Sequence, residues 1–400
     1  MSERVMTDRP MDRKATNAWP MILLFGALLL VPAVAQLAGM GQSTGENRVL
    51  APFPKLTSFK DLAGLTRASE NYVNDRFGLR SQLVHANSLL HYRLGISTSK
   101  DVVIGKDGWF FYTADRILEQ HTGADVFKPD ELDKWVRQME ANRDWLAQRN
   151  IAFYMVAAPD KNTIYPEKLP DYPRPPNATT RLDQLAARLE RSTLDFINPK
   201  AALLAAKRNN VQVYFEGDSH WTQRGALIAY ELLMERVRKK FPAVIPKTID
   251  DYAVSVEEHP AADLAYLLTL YGDLHYSVDR LEPRGPRHQL APAATTTRPG
   301  WPWRLSEVRT DLRDRPRLLI FGDSFADYVL GPNFLYETFR DPVWTHHNLG
   351  TFNFELVKEV HPDIVIFQFG ERYLVRRSGP GSEWTSSRAP AEKADPKRGK

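Results

Sequence analysis

The chain has 400 residues, of which 43% are hydrophobic, so it is long enough to bury a sizeable core. Its 53 basic and 49 acidic residues give a formal charge of +4 without any long basic block, which argues against a nucleic-acid partner. The chain contains no cysteine, and this excludes disulfides, thiol nucleophiles and thiolate metal sites.

The N-terminus has the pattern of an export signal. A basic leader (1–18) precedes an uncharged, largely aliphatic segment (19–40), so the leader is expected in the cytoplasm and the rest beyond the membrane. The segment is long enough to remain as a transmembrane anchor, which we favour, but Ala33-Val34-Ala35 also fits a cleavage site. A buried core helix is the third interpretation. We therefore expect a periplasmic protein that is tethered by residues 19–40 or released after cleavage near Ala35.

The remainder divides by composition. Residues 41–100 are predicted to form a linker and an N-terminal helical region, and residues 101–377 a catalytic domain. Within that domain, the Pro-, Arg- and Thr-rich stretch 244–316 interrupts the pattern and is interpreted as an insertion. The Ser-, Pro- and charge-rich tail 378–400 is predicted to be disordered.

The catalytic region begins with a predicted strand–turn–strand unit over residues 102–112, and strands then alternate with helices from residue 129 onward. This alternation predicts a mainly parallel sheet covered by helices on both faces, with functional groups at the carboxyl ends of the strands. The predicted strands after residue 129 are 151–158, 194–197, 211–215, 318–321, 343–345 and 364–369.

Two motifs carry the groups of a hydrolase-type triad. Asp218 and His220 directly follow the predicted strand 211–215, and Ser324 follows the strand 318–321. In an extended segment, residues two apart face the same way, so the carboxylate can orient the imidazole. The imidazole can then take the proton of the serine hydroxyl, and this combination is typical of acyl transfer through an acyl-serine.

Each motif has a simpler interpretation when it is taken alone. Gly322-Asp323-Ser324 is also explained by a turn that caps a helix. Asp218 and His220 are also explained by a surface pair, or by half of a metal site completed by His346 and His347. The occurrence of both motifs at predicted strand ends favours the triad, and we predict no metal site.

The ordered set of motifs resembles the alginate O-acetyltransferase family of periplasmic, SGNH-hydrolase-like proteins, over about residues 45–375. The matching pieces are Glu46-Asn47-Arg48, Leu50-Ala51-Pro52, Asp75-Arg76-Phe77-Gly78-Leu79-Arg80, Gly105-Lys106-Asp107-Gly108-Trp109-Phe110, Pro159-Asp160-Lys161, Tyr165-Pro166, Asp218-Ser219-His220-Trp221, Gly322-Asp323-Ser324-Phe325 and Glu371-Arg372.

The resemblance implies a three-layer α/β/α SGNH-hydrolase-like fold with a circularly rearranged motif order, because the serine comes last here and first in ordinary SGNH hydrolases. It implies that Ser324 is the nucleophile, His220 the general base and Asp218 the residue that orients the histidine. It further implies acetylation of exopolysaccharide hydroxyls beside a membrane-bound O-acyltransferase that supplies acetyl groups at the inner membrane. No cofactor is expected.

Other site residues are less determined by pattern. The oxyanion candidates are the Ser324 backbone, Asn162 and Asn348, although both asparagines also suit turns. Trp109, Trp301 and Trp303 are candidates for stacking on sugars, although each also suits a packing role, which we favour for Trp109.

The sequence leaves three functions open. The first is transfer of acetyl to an alginate-like polysaccharide. The second is a carbohydrate acetylesterase, because water and sugar hydroxyls attack the same acyl-serine. The third is a non-catalytic scaffold tethered to the membrane, against which the intact triad argues.

Overall fold

The structure is a computed structural model that describes residues 19–38, 51–55, 62–170, 172, 174–285, 291–298, 301–346 and 352–374. The predicted leader 1–18 and tail 378–400 lie outside these residues. The chain forms two compact units, Met1–Leu90 and His91–Lys400. Each is described separately below.

The first unit contains the apolar N-terminal segment as helix α1 (Trp19–Leu37), followed by α2 (Leu62–Arg76) and most of α3 (Arg80–Arg93). Among the described residues, one helix is long and apolar enough to cross a membrane, over Trp19–Gln36. A cleaved signal passes the same test of length and composition. The helix is therefore compatible with both export interpretations.

The second unit contains the helices and strands of the predicted catalytic domain. Its further helices are α4 (Ile117–Thr122), α5 (Pro129–Ala147), α6 (Lys161–Ile164), α7 (Arg181–Leu189), α8 (Lys200–Arg208), α9 (Gln223–Lys240), α10 (Asp263–Leu267), a π-helix (Ala326–Leu335) and α11 (Phe354–Val360). Its strands are β1 (Val102–Ile104), β2 (Phe110–Tyr112), β3 (Ala152–Ala158), β4 (Asp195–Ile197), β5 (Tyr252–Pro260), β6 (His275–Pro283), β7 (Ala291–Arg298), β8 (Trp301–Arg309), β9 (Arg317–Gly322), β10 (Arg340–His346) and β11 (Ile364–Gly370).

The main sheet has seven strands among the described residues, in the order β4-β3-β11-β9-β10-β8-β7. The five strands from β4 to β10 run parallel to one another. Strands β8 and β7 add an antiparallel edge beyond β10. The prediction of a mainly parallel sheet is confirmed.

Apolar residues alternate along the central strands and fill a separate core on each face of the sheet. In β3, Tyr154 and Val156 belong to one core, and Phe153 and Met155 belong to the other. Helices α8, α9 and the π-helix pack on the first face, and α5, α7 and α11 pack on the second. This is the predicted three-layer arrangement, and burial on both faces explains why these strands are continuously apolar.

The predicted strand 211–215 is wrong. This segment forms one isolated bridge, between Tyr214 and Trp221, and belongs to no sheet. Its backbone is satisfied locally, because Phe215 N donates to His220 O at 3.2 Å and Thr222 N donates to Val213 O at 3.0 Å. Asp218 and His220 therefore lie on a folded loop between α8 and α9, and not at the end of a strand.

The stretch 244–316 forms two different structures. Strands β5 and β6 pair with each other as a separate antiparallel hairpin, which encloses α10. Strands β7 and β8 instead extend the main sheet, and β8 pairs with β10 through Leu305 opposite Thr345. Leu305 is fully buried in the core. The second half of this stretch is thus part of the main sheet.

Candidate active site

The nucleophile candidate stands where a buried strand meets a helix. Strand β9 ends at Gly322, and Ser324 is exposed at the first residue of the helical turn that leads into the π-helix. Gly322 is needed for close packing, because an added Cβ would lie 2.7 Å from Ala326 Cβ and 3.0 Å from Trp344 Nε1. The sheet therefore fixes the backbone beneath Ser324 from both sides.

The aspartate of the Gly-Asp-Ser turn does not face the histidine. Asp323 is fully buried, and its Oδ1 accepts a hydrogen bond from Phe325 N at 2.9 Å. Its Oδ2 accepts from Gly370 N at 2.5 Å. Asp323 thus ties the nucleophile turn to the end of β11, where a backbone amide would otherwise be buried without a partner.

The other two triad residues reach Ser324 from a loop 104 positions away in the chain. His220 Nε2 lies 2.7 Å from Ser324 Oγ, and His220 Nδ1 lies 2.6 Å from Asp218 Oδ1. The ionised carboxylate can only accept, so Nδ1 carries a proton and Nε2 is left to accept the proton of Ser324. The three predicted residues converge in the order serine, histidine, aspartate.

The aspartate and the histidine stabilise each other's charged form. Burial alone would raise the pKa of Asp218, but the charge of His220 and hydrogen bonds from its ring and backbone hold that pKa well below its usual range. Burial alone would lower the pKa of His220, but Asp218 raises it above its ordinary value of 6.5. Asp218 would thus stabilise a protonated His220 ring.

A buried lysine holds the loop that carries Asp218. Lys161 Nζ donates to the backbone oxygens of Phe215, Glu216 and Asp218 at 2.9, 2.8 and 2.8 Å. Burial lowers the pKa of Lys161 to about 7. Three acceptors require all three protons of an ammonium group, so the geometry corresponds to the charged form. Lys161 lies just beyond the carboxyl end of β3. Its three hydrogen bonds hold the loop in place of the backbone pairing that a sheet would provide.

A second carboxylate closes the loop from its other side. Asp263, the first residue of α10, accepts hydrogen bonds from Ser219 N at 2.8 Å and from Ser219 Oγ at 2.5 Å. Its Oδ2 lies 3.6 Å from His220 Nδ1. Burial and the neighbouring Asp218 raise the pKa of Asp263. Asp263 thereby fixes the residue between Asp218 and His220.

Trp221 and Phe325 join the loop to the helix of the nucleophile. Trp221 is fully buried, and its Nε1 donates to Phe325 O at 3.2 Å. The Phe325 ring packs 4.9 Å from the ring of His220 and 5.1 Å from that of Trp221, between ring centroids. Thr222 then caps α9 by accepting from Gly225 N at 3.2 Å.

The oxyanion candidates are only partly positioned by these contacts. The Phe325 amide, next after the nucleophile, is engaged by Asp323, so the Ser324 amide remains the backbone candidate. Asn162 is buried in α6, just beyond the carboxyl end of β3, and β11 lies between that strand and β9. It thus lies at the same edge of the sheet as Ser324 and stays a prediction. Asn348 lies outside the described residues.

Of the three tryptophan candidates, Trp109 has the packing role that the sequence favours for it. Trp109 is 5% exposed, and its ring packs 4.3 Å from that of Tyr165, between centroids. It therefore has no free face for a sugar and has the packing role. Trp301 and Trp303 lie in β8, but their side chains are outside the described part of the chain.

The group of possible metal ligands in the structure differs from the set of ligands that the sequence suggests. Among the described residues, Asp218, His220 and Asp263 have ligand atoms within 4.8 Å of one another, and His346 is not in that group. His347 lies outside the described residues. The same Asp218 and His220 atoms already bind each other and Ser324.

The family assignment rests on comparison with known proteins. The model for the SGNH hydrolase-like domain of the acetyltransferase AlgX matches residues 102–356, which is more than half of the chain. The chain belongs to this family. The resemblance drawn from the motifs is thus confirmed, and so is the SGNH-hydrolase-like α/β fold.

Curated relatives of the chain come from Pseudomonas. It is 25% identical over 266 residues to a probable alginate O-acetylase AlgJ of Pseudomonas aeruginosa, which covers 66% of this chain and 64% of that protein. It is 25% identical over 177 residues to the protein of the same description from Pseudomonas syringae, over 44% of each chain. The match therefore spans less than two thirds of the length of these relatives.

A solved structure gives a further comparison. The O-acetyltransferase domain of Pseudomonas putida AlgJ is 19% identical to this chain, with a TM-score of 0.47. The comparison covers 70% of this chain and 95% of that one.

Sequence reasoning missed the residues that hold the site together. Lys161 is in a family motif, but its sequence context assigns it no chemistry. Asp263 lies inside the stretch interpreted as an insertion and follows no apolar pattern. Asp160, next to Lys161, forms a buried ion pair with Arg372 at 2.8 Å, which braces the ends of β3 and β11. All three act through contacts between segments that are distant in the chain.

Proposed function

We propose that this protein is a serine-dependent O-acetyltransferase that moves acetyl groups onto hydroxyls of an exported, alginate-like polysaccharide. The observation that carries the proposal is the hydrogen-bonded line from Ser324 Oγ through the His220 ring to Asp218. Family membership supplies the group that is transferred. The names of the AlgJ relatives supply the class of acceptor.

The reaction has two steps. First, Ser324 Oγ attacks the carbonyl carbon of an acetyl ester while His220 Nε2 takes its proton, and that proton then goes to the departing alcohol. Next, a sugar hydroxyl attacks the acetyl-serine, His220 takes the sugar's proton, and the bond between the acetyl carbon and Ser324 Oγ breaks. His220 returns the proton to Ser324, so the site ends as it began.

The exposure of the site supports a large acceptor. Ser324 is exposed, whereas His220 and Asp218 are buried behind it. A polymer can therefore reach the acyl-serine without displacing the base. Water can reach it too, and this is why acetylesterase activity is expected as a side reaction.

The N-terminal helix supports a location at the inner membrane. Residues Trp19–Gln36 have the length and composition of an anchor or an export signal, and either role would be consistent with a site in the periplasm. We propose that a membrane-bound O-acyltransferase delivers the acetyl groups there. The proposed mechanism uses no cofactor, so the enzyme needs the acetyl group in the form of an activated acetyl ester.

The first experiment measures how the acyl-enzyme divides between transfer to a sugar and hydrolysis to free acetate. The whole protein is incubated with p-nitrophenyl acetate and oligosaccharides of mannuronate, and acetylated sugar and free acetate are quantified. Ser324→Ala is expected to abolish both products, a loss of at least about 10³-fold, because the nucleophile is gone. Ser255→Ala, at an exposed serine on β5, is the matched control and should behave as wild type.

The outcomes separate the candidate functions. If the rate of acetate release is unaffected by sugar, the protein is an esterase and not a transferase. Full transfer by Ser324→Ala would disprove the acyl-serine mechanism. If cells carrying only Ser324→Ala still acetylate their polymer, the protein acts as a scaffold.

A further inference from the structure

The nucleophile and an exposed tyrosine share one face of a helix. Ser324 begins the helical turn, and Tyr328 follows four residues later, a spacing that places both side chains on one side. The Tyr328 ring is 47% exposed, and its centroid lies 5.3 Å from that of the His220 ring. Tyr328 therefore offers an exposed ring beside the point where an acceptor hydroxyl would meet His220 Nε2 and Ser324.

Two more exposed tyrosines come from the hairpin that encloses α10. Tyr266 and Tyr271 are 44% and 54% exposed, and their ring centroids are 4.5 Å apart. The same helix begins at Asp263, whose carboxylate lies 3.6 Å from His220 Nδ1, so this segment borders the catalytic histidine. These two rings form a second aromatic surface close to the triad.

Contacts with His220 bring the two surfaces to one rim of the site, because Asp263 at the start of α10 lies 3.6 Å from His220 Nδ1 and the Tyr328 ring packs against the His220 ring. Tyr266 lies three residues after Asp263 on α10, and its ring contact with Tyr271 keeps both rings in the segment that borders His220. Burial raises the pKa of Tyr328 to about 12, with smaller contributions from the charges of Asp218, Asp263 and Tyr271. At neutral pH the Tyr328 hydroxyl is neutral and can donate a hydrogen bond.

We propose that Tyr328, Tyr271 and Tyr266 form an acceptor subsite, on which consecutive pyranose rings of the polysaccharide stack through their apolar C–H faces. Tyr328 contacts the sugar whose hydroxyl receives the acetyl group. This proposal rests on the proposed function, and it identifies what grips the polymer at that same site. It also replaces Trp109, which is buried, as the aromatic contact for sugar.

The chemistry of the rim selects a sugar among possible occupants. Each tyrosine offers an apolar ring together with a polar hydroxyl at its tip, which matches a pyranose with an apolar face and hydroxyl edges. Asp263 is the partly exposed charge nearest the histidine, and Asp327 is paired with Arg304. The three tyrosines therefore suit the sugar ring itself.

The test compares acceptor use by matched variants of the whole protein. With p-nitrophenyl acetate as donor and mannuronate or cellulose hexasaccharides as acceptors, Tyr328→Ala is expected to raise the acceptor KM about tenfold, as expected for loss of one stacking contact. The rate of acyl-enzyme formation, which is measured from the nitrophenol burst, should fall much less than the rate of transfer to the sugar. Tyr328→Phe and Tyr328→Trp should keep a KM near wild type, because they keep the ring.

The control is Tyr172→Ala, at a tyrosine that is 38% exposed and has no contact with the triad among the interactions described for it. An acceptor KM for Tyr328→Ala no higher than that for Tyr172→Ala would overturn the subsite. So would a Tyr271→Ala or Tyr266→Ala variant that transfers to a hexasaccharide as well as wild type, for the part assigned to that ring.

Binding of the hexasaccharides to Ser324→Ala, measured by calorimetry, separates the subsite from the reaction. Weaker binding after adding Tyr328→Ala supports the subsite even if no transfer is seen, and the proposed function alone then fails. Equal binding with and without Tyr328, or no binding by Ser324→Ala itself, overturns the subsite.

Discussion

The two segments that meet at the site are held in place by different means. Ser324 follows the end of β9, a strand with neighbours on both sides in a parallel sheet. Asp218 and His220 lie on a loop that belongs to no sheet. The isolated bridge described for this loop joins two of its own residues. Backbone pairing fixes the first segment, whereas the side chains of the buried Lys161 and the partly exposed Asp263 fix the second.

The difference shows where each segment is vulnerable. A strand is held by many hydrogen bonds of similar strength, so no single side chain decides its position. The loop depends on one ammonium group for three backbone oxygens and on one carboxylate for Ser219. We therefore expect single substitutions to disturb the loop more than the strand.

The largest effect is expected at the residue that orients the base. Asp218→Asn should lower kcat by about 10⁴-fold, because the amide no longer fixes the tautomer or stabilises the imidazolium. In wild type, the acidic limb of kcat/KM should show an apparent pKa above 6.5, since Asp218 raises the pKa of His220. The substitution should shift that limb to lower pH, because removing the negative charge favours the neutral ring.

Rates with p-nitrophenyl acetate across pH 5 to 9 measure both effects. Asp263→Asn is the comparison, because it removes the more distant of the two carboxylates and keeps an acceptor for Ser219. An Asp218→Asn variant with the wild-type pH profile would contradict the assigned role.

An intermediate effect is expected at the lysine. Lys161→Met should lower kcat/KM by about 10²-fold, the size expected when catalytic groups shift by about 1 Å. It should also destabilise the fold by several kcal/mol, since each buried carbonyl left without a partner costs about 1–3 kcal/mol. Urea unfolding measures the stability, and labelling of Ser324 with a fluorophosphonate shows whether the serine is still activated.

Chemical rescue makes this prediction sharper. Because the chain has no cysteine, Lys161→Cys can be aminoethylated at a single position to give a lysine analogue. Activity should return with the analogue and stay low without it. Lys358→Met, which removes one partner of an exposed ion pair with Glu355, is the control and should change little. Wild-type labelling of Lys161→Met would show that other contacts hold the loop.

The smallest effect on catalysis is expected on the strand side. Gly322→Ala should destabilise the fold by about 1–3 kcal/mol, because the new Cβ would lie too close to Ala326 and Trp344. The activity of the folded fraction should fall less than in Lys161→Met, since the sheet still sets the register of β9. Gly285→Ala is the control, as its added Cβ meets no described atom within 4 Å. A greater loss of activity than in Lys161→Met would reverse the comparison.

Local pattern was sufficient to predict much of the fold. Strands β3, β9 and β11 are continuous apolar runs, and α5 and α9 carry helical spacing and start signals, so each is determined by neighbouring residues. The three residues of the proposed triad also come from short motifs, and the structure brings their side chains together. The segment 211–215 has the same apolar pattern as a strand, yet its backbone groups bond within the loop and to Tyr165.

The sequence by itself determined the chemistry-bearing residues, the central strands β3, β9 and β11, the helices α5 and α9, and the apolar N-terminal segment. Only the tertiary structure decided that Lys161 and Asp263 hold the loop that carries Asp218. It also decided which exposed tyrosines lie beside the site. The contacts of Lys161 and Asp263 with the loop join segments 44 to 57 residues apart. A buried ammonium group or carboxylate is stabilised by whichever polar groups the packed fold brings to it, and no local spacing encodes that meeting.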